Sequence, residues 1–174
     1  MLERAELIKT IPGSGGAIVQ EPSSQSVEVP LETLLALSNI GNQELWEYRN
    51  LNEVAAAGWA AERRDEEDLS AIYGYIEASK LAKNNMTEFF RLDREFHEAI
   101  ANAGGNRMAR LVDKVLHKIV IVRLDESYRK KNAKERKCMI ENVIESHMQI
   151  YETIERQDVA GARQKMSEHI EMFF

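Results

Sequence analysis

The chain has 174 residues, a formal net charge of −6 and an isoelectric point near 5.4, with 44% hydrophobic and 30% charged residues. This composition is ordinary for a globular domain, and its acidity excludes a generic nucleic-acid binder. No apolar run approaches the roughly 20 residues of a membrane span, and the first residues lack the features of a signal peptide. A single cysteine, Cys138, excludes an internal disulfide framework, so we expect a cytoplasmic protein.

The first thirty residues differ from the rest, because they contain all three prolines and the glycine-rich segment 12–16. Residues 2–7 resemble the end of a helix. Two short apolar runs, at 8–11 and 17–19, flank the Pro-Gly segment and predict a β-hairpin. The polar run that follows predicts a linker.

From about residue 31 onward, proline is absent and apolar residues recur at helical spacing. Asp65 and Asp158 are suited to cap helix N-termini. The expected fold is all-α, an antiparallel bundle of about six to seven helices preceded by a short β-hairpin. The predicted helices cover residues 31–37, 43–63, 66–81, 87–103, 106–122, 133–156 and 158 to the end.

The fourth predicted helix carries Asp93 and His97 four residues apart, so both side chains lie on one helix face. Leu92, Phe96 and Ile100 border that face, which we therefore expect to point into the bundle. Because a buried aspartate is costly unless it is paired or binds a metal, the pair requires a partner.

His147 and His169 are the candidate partners, since each lies eleven residues from Asp158, on opposite sides of a tight turn. Equal distances from an antiparallel turn place both histidines at the same height. Three imidazoles and one carboxylate suit a divalent transition metal, with zinc first and nickel, copper, manganese or iron as alternatives.

Other interpretations remain open for the same residues. An aspartate and a histidine at this spacing are often a local helix interaction, and a lone core histidine is often simply hydrogen-bonded. His117, the remaining histidine, is expected to be structural or exposed.

The same residues resemble a known family. The pattern Asp93-x-x-x-His97, then His147, then Asp158-x-x-x-Ala162-x-x-x-Met166-x-x-His169-Ile170 is similar to the FadR C-terminal (FCD) ligand-binding domain of GntR-type regulators. The runs 96–100 and 103–106 are typical of it, as is Leu45-x-x-x-Arg49 followed by three alanines. The similarity covers about residue 31 to the end.

The resemblance implies that the four ligands hold a zinc-like ion beneath a cavity that accepts a small organic acid. Arg49 is then the first candidate partner of the acid's carboxylate, and Arg123 is the second. The alternative for Arg49 is a surface ion pair with Glu53, four residues further on.

The resemblance also implies three parts: residues 1–22, the helix end and wing of a winged helix-turn-helix head; a linker at 23–30; and an FCD-type domain at 31–174. Most of a recognition helix is missing from this sequence. We therefore expect that the chain binds operator DNA only as part of a longer protein with the full head.

The function that follows is that of an effector-sensing domain in a homodimeric bacterial transcription regulator, which is not an enzyme. One alternative is a metal-dependent hydrolase, although an enzyme would need a general base and no further carboxylate has a motif around it. The other is a bundle in which the metal only stabilises the fold.

Overall fold

The computed structural model describes residues 8–10, 13, 16–19, 33, 37–38 and 40–173. The chain divides into two compact units, Met1–Ile40 and Gly41–Phe174. In the first unit, strands β1 (Ile8–Thr10) and β2 (Ala17–Val19) pair antiparallel. This confirms the predicted hairpin. The predicted helix end at 2–7 and the linker at 23–30 lie outside the described residues.

The second unit is built from helices, which confirms the predicted all-α bundle. In the described residues they are α1 (Asn42–Arg63), α2 (Glu66–Leu81), α3 (Met86–Ala103), α4 (Arg107–Lys130), α5 (Ala133–Glu155) and α6 (Val159–Glu171). The predicted helix at 31–37 lies largely outside the described residues. Within this range the structure describes Thr33 and Leu37, and both are helical. Within the described part of the chain, every helix is too short or too polar to cross a membrane.

The helix starts follow from side chains that satisfy free backbone N–H groups. Asp65 accepts a hydrogen bond from the Asp68 amide at 2.9 Å, and Asp158 accepts one from the Gly161 amide at the same distance. Such caps contribute about 1 kcal/mol each. Both were predicted as capping residues, so these helix boundaries are confirmed.

Helix α1 lies at the centre of the bundle, because it packs against α3, α4, α5 and α6. Its alanines Ala57, Ala60 and Ala61 are fully buried, and small side chains let neighbouring helices approach closely. The side chain of Arg163 of α6 lies directly over Gly58. The inward-facing polar residues of α1 therefore lie against the neighbouring helices.

Candidate metal centre

All four histidines of the chain lie in one buried cluster at the centre of the bundle. His97, His117, His147 and His169 are each at most 2% exposed. They come from α3, α4, α5 and α6 respectively. Four helices thus direct one imidazole each into the same region.

Three of these rings converge on a common point. Nε2 of His97 lies 3.2 Å from Nε2 of His169, and the ring centroids of His147 and His169 are 4.7 Å apart. One nitrogen from each of the three rings lies within 4.8 Å of the others. Metal–nitrogen bonds of about 2.0–2.1 Å place two ligands of one ion roughly 3–4 Å apart. The three histidines therefore have the spacing of a ligand set.

The convergence of His147 and His169 arises from the turn between α5 and α6. Gln157 adopts a left-handed conformation there, with φ of 55°, and Asp158 begins the next helix. Because the two helices pack side by side after this turn, residues equally far from it meet. The sequence-based expectation that both rings lie at one height is confirmed.

Asp93 lies beside this triad. Its Oδ1 is 3.5 Å from Nε2 of His147, and the residue is 4% exposed. The Asp93 carboxylate does not belong to the set of donor atoms that all lie within 4.8 Å of one another, which is formed by the three imidazoles. Burial raises the pKa of Asp93 above its ordinary value. Of the four predicted ligands, the structure gathers the three histidines and places the aspartate next to one of them.

Ser146 determines which nitrogen of His169 faces the centre. Its hydroxyl donates to the Val143 carbonyl at 2.9 Å and lies 2.8 Å from Nδ1 of His169. Since the single hydroxyl proton is already used, Ser146 accepts a hydrogen bond from Nδ1–H of His169. The other nitrogen, Nε2, is left with its lone pair directed at His97.

His147 and His169 are held in the neutral form that binds metals. Burial lowers the pKa of His147 well below its ordinary value, and the nearby His169 lowers it further. Burial and the nearby His97 have the same effect on His169. Phe96 stacks on His147 with ring centroids 3.8 Å apart, which holds that ring in place. Nε2 of His147 is buried and has no hydrogen-bond partner among the described residues.

Glu53 of α1 is a member of the cluster that the sequence analysis did not predict. Its Oε2 lies 3.0 Å from Nδ1 of His97, and its Oε1 accepts a 2.6 Å hydrogen bond from Nε of Arg49. Burial alone would raise the pKa of Glu53, but Arg49 and the histidines hold it well below its usual range. The glutamate is therefore a buried anion next to a predicted metal ligand.

The ion pair with Glu53 is the alternative considered for Arg49, but it is buried rather than at the surface. Arg49 is 2% exposed, and a second nitrogen of its guanidinium lies 3.2 Å from Oε2 of Glu53. Arg123 is 46% exposed at its side chain and lies 3.6 Å from Glu126 on the same helix. Of the two predicted effector-binding arginines, Arg49 alone adjoins the histidine cluster through a described contact.

His117 is also part of the cluster; of the two expectations for it, structural or exposed, its burial excludes the exposed one. Its ring centroid lies 4.6 Å from that of His97, and its Nδ1 is 3.2 Å from Oδ2 of Asp113. Burial alone would lower the pKa of His117, but Asp113 and Glu53 raise it to about 9. A signal was present in the sequence, since Asp113-x-x-x-His117 repeats the spacing of Asp93-x-x-x-His97.

The buried charges of this core do not balance without a cation. Among the described buried residues, Glu53, Asp93 and Asp113 are acids, whereas Arg49 is the one arginine and lysine is absent. At neutral pH Arg49 and the protonated His117 carry two positive charges against the three acids, which leaves one negative charge in excess. Uncompensated buried charge is costly, and one divalent cation would compensate it.

The chain is similar to known transcription regulators. Residues 44–172 match the FCD domain family. The HTH-type transcriptional regulator LutR of Bacillus subtilis is 26% identical over 157 residues, which cover 89% of this chain and 70% of LutR. These similarities are to regulators and not to enzymes.

Solved structures share the fold. GntR of Streptococcus agalactiae superposes with a TM-score of 0.69 at 20% identity, covering 98% of this chain and 75% of that one. McbR/YncC of E. coli superposes with a TM-score of 0.66 at 17% identity, covering 98% and 76%. Since the family match spans most of the chain and the fold agrees, this chain belongs to the FCD domain family, the effector-sensing domain of GntR-type transcription regulators.

Proposed function

We propose that this chain senses a small carboxylate through a metal ion held in the bundle core, as part of a transcription regulator. The observation that carries the proposal is the convergence of His97, His147 and His169 in a chain of the FCD family. Asp93, beside His147, is the fourth ligand in this proposal.

The residues present fit a divalent transition metal. Neutral imidazole nitrogens and a carboxylate suit zinc first, with nickel, manganese or iron as alternatives. The buried nitrogen of His147 that lacks a hydrogen bond gains a partner, and the excess of buried carboxylates gains a counter-charge. When bound, such an ion supplies a Lewis-acidic position for one oxygen of a carboxylate.

Arg49 is the proposed partner of the effector's carboxylate, because a guanidinium can donate two parallel hydrogen bonds to it. Two of the Arg49 nitrogens already contact Glu53, so an incoming acid must share the guanidinium or displace Glu53. Arg123 is the second candidate.

The proposal extends to DNA through the family. The hairpin β1–β2 in residues 1–22 is assigned to the wing of a winged helix-turn-helix head, residues 23–30 to a linker and residues 31–174 to the sensory domain. A homodimer of the regulator would match a palindromic operator. The effector would act by binding more tightly to one of two arrangements of the heads.

Glu53 bears on the alternative of a metal-dependent hydrolase. A hydrolase would need a carboxylate positioned as a general base, and Glu53, which has no recognisable motif around it in the sequence, lies 3.0 Å from His97. Arg49 and the neighbouring histidines hold the pKa of this carboxyl well below its usual range, which makes it a poor base near neutral pH. The buried pair therefore favours a sensor over a hydrolase.

The test measures zinc affinity and thermal unfolding of the protein with a panel of small mono- and dicarboxylic acids. We expect at least one acid to raise the melting temperature of the zinc-loaded protein and not of the metal-free protein. His147→Asn should weaken zinc binding at least tenfold and abolish the acid effect. Thr153→Ala is the matched control, because it removes a buried polar side chain from the same helix outside the histidine cluster.

Three results would refute parts of the proposal. Unchanged zinc affinity in His147→Asn would refute the ligand set. An acid effect that survives metal removal would refute direct coordination of the effector. Stabilisation by zinc without a response to any acid would show that the metal only supports the fold.

A further inference from the structure

We propose that Glu53, His97 and His117 form a second metal position beside the first, and that the two positions share His97 and hold one divalent ion between them. This inference goes beyond the proposed function, because its other two donors, Glu53 and His117, are not ligands of the first position. It assigns a binding role to residues that the effector-sensing proposal leaves unused.

The geometry of these three residues is that of a ligand set. Oε2 of Glu53 lies 3.0 Å from Nδ1 of His97 and 3.9 Å from Nε2 of His117. One donor atom from each residue lies within 4.8 Å of the other two, and all three residues are buried. Both distances lie within the roughly 3–4 Å expected between two ligands of one ion.

Nε2 of His117, the nitrogen of that ring nearer to Glu53, is buried without a hydrogen-bond partner among the described residues. A buried polar atom without a partner costs about 1–3 kcal/mol, so this position requires an explanation. Nδ1 of His97 contacts Oε2 of Glu53 at 3.0 Å. A cation between the two rings and Glu53 would give the His117 nitrogen a partner.

Asp113 prepares His117 for this role. The backbone carbonyl of Asp113 lies 3.3 Å from Nδ1 of His117 and accepts a hydrogen bond from it, and the carboxylate lies 3.2 Å from the same nitrogen. A carbonyl or carboxylate on the outer nitrogen fixes the ring orientation of metal-binding histidines and raises the basicity of the inner nitrogen, which here is the one nearer to Glu53.

His97 makes the two positions mutually exclusive, because a neutral imidazole has one lone pair and one N–H. With the ion in the first position, Nε2 coordinates it and Nδ1–H donates to Glu53 at 3.0 Å. With the ion in the second position, Nδ1 coordinates it and Nε2–H donates to His169 at 3.2 Å. Each arrangement therefore satisfies both nitrogens of the ring.

The buried charges also favour one ion. With the ion in the second position and His117 neutral, the acids Glu53, Asp93 and Asp113 against Arg49 leave two negative charges, which that single divalent ion neutralises. A second divalent ion would leave the core with an excess of positive charge beside the Arg49 guanidinium.

The test uses zinc and three forms of the full chain: the wild type, the double variant His147→Asn/His169→Asn, and the triple variant that adds His117→Asn. Calorimetry gives the stoichiometry, and ¹⁵N spectra of the imidazole rings identify the coordinating nitrogens. We expect one zinc per chain in the wild type. The double variant should still bind one zinc, ten- to a thousandfold more weakly, with shifts at Nδ1 of His97 and Nε2 of His117. The triple variant should bind none.

Two zinc ions in the wild type, no binding in the double variant, or retained binding in the triple variant would each overturn the inference. If circular dichroism shows that the double variant is unfolded, the single variant His147→Asn is used in its place. An Nε2 signal of His117 that zinc does not shift in that variant would overturn the inference. A wild type that binds no zinc would end both proposals, whereas binding by the wild type and none by the double variant would end this one alone.

Discussion

The hydroxyl of Ser146 lies 2.8 Å from Nδ1 of His169 and accepts a hydrogen bond from its N–H, so the lone pair of the ring is on Nε2, which faces His97. The two residues are on α5 and α6, so this contact also connects the helices that carry two of the proposed ligands. It identifies Ser146 as a residue that orients a ligand without touching the ion.

Replacing Ser146 with alanine should therefore weaken metal binding with little loss of stability. Loss of an outer hydrogen bond to a metal-binding histidine typically lowers metal affinity about 10- to 100-fold. Competition with a coloured zinc chelator measures the change. Ser79→Ala is the matched control, since Ser79 also donates to a helix carbonyl but lies on α2, away from the histidines. Equal affinities in both variants would show that Ser146 has no orienting role.

The Arg49–Glu53 pair makes a prediction about stability. Arg49→Met should lower the free energy of unfolding by about 3–5 kcal/mol, because it leaves Glu53 as an unpaired buried anion. Denaturation of the metal-free protein in urea measures this loss. Arg129→Met removes an arginine from an exposed pair with Asp125 and should have a far smaller effect. Similar losses in both variants would contradict the buried charge assigned to Glu53.

The metal-free protein should lose stability as the pH rises above neutrality. The pKa of His117 is about 9 in the folded chain against 6.5 for an ordinary histidine, so the folded state holds a proton that the unfolded state releases. Its contribution is complete below pH 6.5 and is lost as the pH rises to 9, by an amount on the order of 3 kcal/mol.

Urea denaturation between pH 6.5 and 9 measures this dependence, and the NMR titration of the His117 ring gives its midpoint directly. His117→Asn should remove most of the alkaline decline. A wild-type protein whose stability is constant across this range would contradict the assigned network of His117, Asp113 and Glu53.

The turn that aligns His147 with His169 contains a residue in an unfavourable conformation. Gln157 has a φ of 55°, which costs a residue other than glycine about 1–2 kcal/mol. Gln157→Gly should raise the melting temperature of the protein and leave zinc affinity unchanged. Gln157→Ala retains the steric cost and serves as the control. A melting temperature that falls in the glycine variant would show that the side chain of Gln157 stabilises the turn.

Much of the fold was predictable from local pattern. The capping residues Asp65 and Asp158 were recognised because the interactions that begin a helix involve residues three positions apart. The proximity of His147 and His169 is predictable because a short turn makes two helices antiparallel, so that residues equally far from the turn lie side by side. Both inferences need only the geometry of one helix or one turn.

The role of Arg49 does not follow from the sequence, for a different reason. The four-residue separation from Glu53 predicts an ion pair as one alternative, but sequence spacing does not distinguish an exposed pair from a buried one. In the bundle α1 is surrounded by four other helices, and the pair is buried. A pair at the surface would contribute little to stability, whereas this buried pair supplies the positive charge that partly balances the acids of the core.

The helices, the hairpin and the candidate ligand set of His97, His147 and His169 are predictable from the amino-acid sequence, because helical periodicity and turn spacing are local properties. That Glu53 and His117 belong to the same cluster becomes visible in the folded bundle alone. Their helices are far apart in sequence, and which faces of α1 and α4 meet α3 depends on how the side chains of all of them pack together.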